Sequence, residues 1–133
     1  MAGNDSLSGG AGNDTLAGGS GNDALTGGAG ADRFVFNTAL NGATNVDTLT
    51  DFTTGSDNLL LDHAIFTQLA QGALAAGNLA AGAVAVDADD FIVYDSATGD
   101  LSYDPDGSGI QAATRFAVLA THPALSAADF SVL

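Results

Sequence analysis

The chain has 133 residues, enough for one modest domain or a repeat array with a cap. It carries 2 Lys+Arg against 16 acids, a formal charge of −14, and every acid is Asp. A chain this acidic is unsuited to nucleic acid or an anionic membrane surface and calls for a divalent cation as partner. The lack of cysteine excludes disulfides and thiolate metal sites, and no apolar run approaches the roughly 20 residues needed to span a bilayer.

The first elements are periodic. Asp recurs at 5, 14, 23 and 32 and a large apolar residue at 7, 16, 25 and 34, both at a spacing of nine. Ten of the 18 glycines fall before residue 31, so glycine is placed within the repeat rather than scattered. Each unit divides into a Gly-Gly-x-Gly turn, which brings backbone carbonyls toward a shared point, and an x-Leu-x strand with one inward residue. Two units make one flattened coil of about 18 residues. Asp5 and Asp23 then stack on one edge, Asp14 and Asp32 on the other, and the Leu and Phe side chains point inward from two sheets. The predicted fold is all-β for the most part: a right-handed parallel β-roll solenoid over 1–36, then a β-rich C-terminal cap with a short helix over 37–133. One buried Leu per nine residues cannot offset the entropy of ordering those nine, several of them Gly, so a cation is expected to make folding and binding one event. Oxygen-only ligands in flexible loops favour Ca²⁺ over Mg²⁺. A flexible linker has no reason to keep Asp and Leu in register, and a phosphate-binding loop needs a Lys that this chain lacks.

Gly-Gly-x-Gly-Asn-Asp-x-Leu-x resembles the repeats-in-toxin (RTX, haemolysin-type) calcium-binding motif over residues 1 to about 36. The resemblance implies ions held between one turn and the turn two units on, by carbonyls and by an Asp from each. Carried onto this chain, one ion takes Gly3 and Asp5 with Gly18, Ser20 and Asp23. A second takes Gly10, Gly12 and Asp14 with Gly27, Ala29 and Asp32. The turns of Gly19, Gly21 and Asp23 and of Gly28, Gly30 and Asp32 hold further ions if later residues complete them, giving two to four Ca²⁺ in all. The first unit lacks its leading Gly-Gly, and unit four has Ala31 where the others have Asn. Met1-Ala2 runs into the middle of a repeat, as expected of a piece of a longer protein with a functional module upstream.

Beyond Phe36 the pattern changes. Asp47–Phe52 alternates like a strand, Thr54–Asp57 is a turn and Asn58–Leu61 a second strand. This block is placed to cap the roll. Asp51 is the first candidate to complete a calcium site left open by the last repeat, with Asp47 and Asp57 after it. His63–Leu79 is predicted as a short helix from the spacing of Ile65, Leu69 and Leu74, followed by a loose Ala/Gly connection to Ala83. His63 has no second His nearby and reads as a surface or packing residue. Phe91–Tyr94 and Leu101–Tyr103 form a hairpin with Gly99 closing its loop. Asp104-Pro105-Asp106-Gly107-Ser108-Gly109 begins like an EF-hand loop, but its twelfth position is Arg115 rather than Glu. A full EF-hand is excluded, and Asp104 and Asp106 stand as weaker metal candidates beside the plain reading of a turn. A lone Asp104-Pro105 is poor ground for self-cleavage. Ala113–Thr121 reads as a buried strand and Ser126–Asp129 as a capping box opening one helical turn.

The second part also resembles the C-terminal region of RTX proteins: the tyrosine hairpin, the Asp-x-Asp-Gly loop, the Phe-Ala-x-Leu strand and the closing Asp129, Phe130, Ser131, Val132 and Leu133. That resemblance implies an uncleaved C-terminal address for the type I secretion machinery. It agrees with the opening Met1–Asp5, which has neither the basic region nor the apolar core of a signal peptide. The expected product is a bacterial protein, secreted to the exterior or the cell surface, whose repeats fold on meeting calcium. The chain shows no His-Glu-x-x-His, Gly-x-Ser-x-Gly or Cys, so no catalysis is expected of it. Two alternatives remain: the non-catalytic tail of a secreted hydrolase, and an adhesive or surface-layer module that self-associates with calcium.

Overall fold

The computed structural model describes residues 3–82, 84–109 and 112–133. In chain order the strands are β1 (Ser6–Ala11), β2 (Thr15–Leu16), β3 (Ala24–Ala29), β4 (Arg33–Phe36), β5 (Asp47–Leu49) and β6 (Asn58–Leu61). They are followed by β7 (Gly72–Ala73), β8 (Leu79–Ala81), β9 (Ile92–Asp95), β10 (Asp100–Tyr103), β11 (Thr114–Leu119) and β12 (Phe130–Val132). Two sheets result, one in the order β1-β3-β5-β11-β10-β9-β8 and the other β2-β4-β6-β12-β7. From β1 to β6 the chain visits the two sheets alternately.

The nine-residue register places these strands. β1 and β3 pair in parallel with Leu7 opposite Leu25, and β2 and β4 with Leu16 opposite Phe34, each an offset of 18 residues. The side chains alternate, so one residue per unit turns inward: Leu16, Leu25 and Phe34 are buried, and Leu7, on the outermost strand, is half-buried. The ladder continues past the repeats. β5 stacks on β3 with Leu49 opposite Leu25, and β6 on β4 with Leu59 opposite Phe34. β11 and β12 then stack in parallel on β5 and β6. Leu and Phe from repeats and cap form one cluster, in which Phe34 meets Phe52 at 6.0 Å and Phe36 meets Phe116 edge-on at 5.2 Å.

The cap follows the expected strands and turns. Gly55 (φ 80°) closes the 54–57 turn and Gly99 (φ 80°) the β9–β10 hairpin. The Ser126 box holds as a single 3₁₀ turn, Ala127–Asp129, with the Asp129 carboxylate accepting the Ser126 N–H at 2.9 Å.

Two expectations fail. No helix runs over His63–Leu79: one turn closes at Phe66 N–H to Asp62 O (2.9 Å), a second at Leu69 N–H to Phe66 O (3.1 Å), and Gly72 (φ 106°) redirects the chain. The apolar spacing that mimics a helix serves these turns, which drop Phe66, Leu69 and Leu74 into the core. Phe66 packs edge-on against Phe116 (4.9 Å) and Tyr103 (5.1 Å). The only helical piece described there is a 3₁₀ turn at Ala76–Asn78, and the chain instead supplies β7 to the free edge of β12. The tract after it is no loose connection through Ala81, because β8 pairs in parallel with β9; Ala83 itself, like Met1 and Ala2, lies outside the described residues. His63 is a packing residue, its Nδ1 2.7 Å from the Leu69 carbonyl.

Candidate metal centre

The glycine turns place the repeat aspartates in two ladders along the sheet edges. On one edge the Asp5 N–H donates to Asp23 Oδ1 (2.8 Å) and the Asp23 N–H to Asp47 Oδ1 (3.2 Å). On the other the Asp14 N–H donates to Asp32 Oδ1 (2.9 Å) and the Asp32 N–H to Asp57 Oδ1 (3.0 Å). Each repeat Asp therefore spends at most one carboxylate oxygen on the neighbouring layer. The other oxygen, Oδ2 of Asp5, Asp14, Asp23 and Asp32, is buried with no hydrogen-bond partner. Asp23 and Asp32 are only 2% and 1% exposed, so these are acceptors without donors in a desolvated place.

Further acceptors converge on them. A Cβ at Gly9 would lie 2.6 Å from Asp14 Oδ2 and 2.7 Å from the Gly27 carbonyl oxygen, so a carboxylate and a carbonyl from successive layers face one another there. A Cβ at Gly18 would strike the Asp23 carboxylate, and one at Gly27 that of Asp32. Among the other expected ligands, the Ser20 and Ala29 carbonyls accept the Gly3 N–H (3.0 Å) and Gly12 N–H (2.8 Å), which leaves each oxygen a second lone pair. The Gly3, Gly10 and Gly12 carbonyls lie against Gly21, Gly28 and Gly30 of the next layer. The Gly19 carbonyl is taken by the Thr38 hydroxyl (3.0 Å) and that of Gly30 by the Ser56 hydroxyl (3.2 Å).

No basic side chain answers this negative charge. Of the two arginines, Arg33 is exposed on β4 and Arg115 pairs with Asp100 at 3.2 Å. Burial, with the Asp23 carboxylate beside it, pushes the Asp47 carboxyl up to about 7. Hard, oxygen-only, donor-free and anionic, the cradle fits Ca²⁺.

The acids after the repeats meet main-chain donors. Asp51 accepts the Gly27 N–H with one oxygen (2.9 Å) and the Gly28 N–H with the other (2.8 Å). Asp57 is likewise engaged on both oxygens, by Asp32 N–H and by Thr53 N–H at 2.8 Å. Both close turns by satisfying main-chain donors. Asp51→Ala should therefore destabilise the calcium-loaded protein by about 2 kcal/mol, the worth of hydrogen bonds to a partly exposed carboxylate, while calorimetry finds the same number of ions as in wild type.

Sequence reasoning missed a parallel asparagine ladder. Asn4 Oδ1 accepts Asn22 N–H (2.9 Å), Asn13 Oδ1 accepts Ala31 N–H (2.8 Å) and Asn22 Oδ1 accepts Val46 N–H (2.8 Å). The signal was available: Asn precedes Asp in units one to three at the same spacing of nine.

The class these features define is a mostly β protein with a calcium-binding repeat array on parallel sheets. Residues 1–34 match the family described as the RTX calcium-binding nonapeptide repeat, in four copies. Over those residues the chain is of the RTX type, and RTX repeats bind calcium and imply a β-roll. The repeat family is structural rather than catalytic and is typical of secreted, extracellular bacterial proteins exported by type I secretion. No curated protein matches the chain. No helix among the described residues is long and apolar enough to cross a membrane.

Proposed function

We propose that this chain is the calcium-folded C-terminal module of a secreted RTX protein: a right-handed β-roll solenoid over 1–36 with a cap and export region over 37–133. The observation that carries the reading is the set of four buried, donor-free Asp oxygens in a chain with almost no positive charge. One ion is held between the Asp5 turn and the Gly18–Asp23 turn, and another between the Gly10–Asp14 turn and the Gly27–Asp32 turn. Two to four ions bring +4 to +8 against the formal −14. In low calcium the array is a Gly-rich polyanion that stays unfolded and threads a secretion channel; in millimolar calcium outside the cell it closes.

The C-terminal address fits this order of events. Phe130 and Val132 are buried in β12, and Asp129 accepts the Thr54 hydroxyl (2.7 Å) and the Gly55 N–H (3.0 Å). A receptor reads these residues only before folding, so calcium that folds the cap also removes the address. An upstream module of the parent protein would supply any activity. A calcium titration by calorimetry tests the reading: two to four ions binding cooperatively with a large folding enthalpy are expected, and fewer than two sink it. Calcium-dependent growth of particle size in light scattering would instead favour the adhesive, self-assembling alternative.

A further inference from the structure

We propose that the loop Asp104–Gly109 is a separate site for a calcium-class cation, outside the repeat array, held by the carboxylates of Asp104 and Asp106. It does not depend on the repeat reading, because its ligands and geometry differ. Oxygen side chains stand at alternate positions, 104, 106 and 108, as they do at the start of an EF-hand loop. Two turns curl the segment: Gly107 N–H donates to Asp104 O and Gly109 N–H to Asp106 O, both at 3.2 Å. Asp104 is 6% exposed, and its Oδ1 is buried without a hydrogen-bond partner. The Asp106 carboxylate lies beside that of Asp104 and fills the space where a Cβ on Gly109 would go. Burial, together with this neighbouring carboxylate, raises the Asp104 carboxyl above its ordinary value.

The loop is preorganised by the segment facing it. Asp104 N–H donates to Phe91 O (2.7 Å) and Ser108 N–H to Asp87 O (3.0 Å), and Gly107 has room for no side chain because the Ala88 carbonyl lies against it. That segment is in turn fixed by Asp90, whose Oδ2 accepts Val86 N–H (3.0 Å) and Asp87 N–H (2.8 Å). Asp87, Asp89 and Asp90 bring carboxylate oxygens within 4.8 Å of one another and add to the negative field. With Arg115 at the position of the bidentate Glu, water completes the shell, and affinity falls in the range of extracellular modules, Kd on the order of 10⁻⁴–10⁻³ M.

The two tyrosines, Tyr94 and Tyr103, lie on β9 and β10, Tyr103 next to Asp104, and the chain has no Trp. Tyrosine-sensitised Tb³⁺ luminescence of the full chain therefore reports this loop. Emission should fall about five-fold or more in the variant carrying Asp104→Asn and Asp106→Asn, with one fewer calcium by calorimetry, for a site that depends on these carboxylates. The variant carrying Asp14→Asn and Asp32→Asn should keep the emission under excess metal in which its far-UV β signal matches wild type. Unchanged emission in the first variant overturns the proposal. An unchanged calcium count in the second variant would count against the repeat sites alone. Should the first variant fail to fold, trace Mn²⁺ added to the calcium-loaded wild type decides: broadening of the Asp106–Gly109 amides supports the site, and its absence at saturation overturns it.

Discussion

Asp32→Ala should remove one calcium from the protein and destabilise the calcium-loaded form by about 3 kcal/mol, the cost of breaking a buried charged hydrogen-bond network. The Asp32 carboxylate has two duties: Oδ1 accepts the Asp14 N–H, and Oδ2 sits buried and donor-free among acceptors. Alanine leaves Asp14 N–H without its partner and the metal without its charge. Asp32→Asn separates the duties, because the amide oxygen still accepts from Asp14 while the charge is gone. Calorimetry should find the same missing ion in both variants, and chemical denaturation in excess calcium should find Asp32→Asn the less damaged. Full calcium stoichiometry in either variant would show that Asp32 holds no metal.

Gly28→Ala should be more harmful than Gly10→Ala although the two backbones are almost alike. Gly10 has φ 95° and Gly28 φ 97°, so both substitutions carry the strain of a side chain at positive φ, about 1–2 kcal/mol. A Cβ at Gly10 meets nothing within 4 Å. At Gly28 it runs into the Gly10 carbonyl of the preceding layer, main chain that cannot turn aside. Overpacking adds about 1–3 kcal/mol, so Gly28→Ala should cost roughly 2–5 kcal/mol in all. Denaturation of the two variants in calcium gives the difference directly; equal losses would mean that the layers are not stacked at this distance.

The register of nine made β1 to β4 legible, together with the inward Leu16, Leu25 and Phe34 and the two Asp edges, because one spacing fixes turn, strand and facing at once. Past Phe36 that spacing breaks. Asp47 follows its ladder partner Asp23 by 24 residues and Asp57 follows Asp32 by 25, because the 37–46 stretch and the 53–57 turn lengthen the layer. The local words persist nevertheless: Asp47-Thr48-Leu49 and Asp57-Asn58-Leu59 keep the Asp-x-Leu order of Asp14-Thr15-Leu16. A search for that triplet without fixed spacing finds the extra layer. The helix expected over His63–Leu79 fails for another reason. Apolar spacing reports which residues are buried, not how the chain runs between them, and here the free edge of β12 draws Gly72–Ala73 into a strand. The strand read over Asp47–Phe52 stops at Leu49, and the sequence alone does not say whether the Asp51 carboxylate beyond it meets N–H donors or a cation.

The central claim is that calcium supplies what a one-residue-per-turn core lacks. Far-UV circular dichroism of the full chain, recorded in millimolar calcium and again after excess EDTA, addresses it most directly. The β signal should collapse on chelation and return when calcium is restored, and magnesium at the same concentration should not restore it. A β signal unchanged by EDTA would contradict the account.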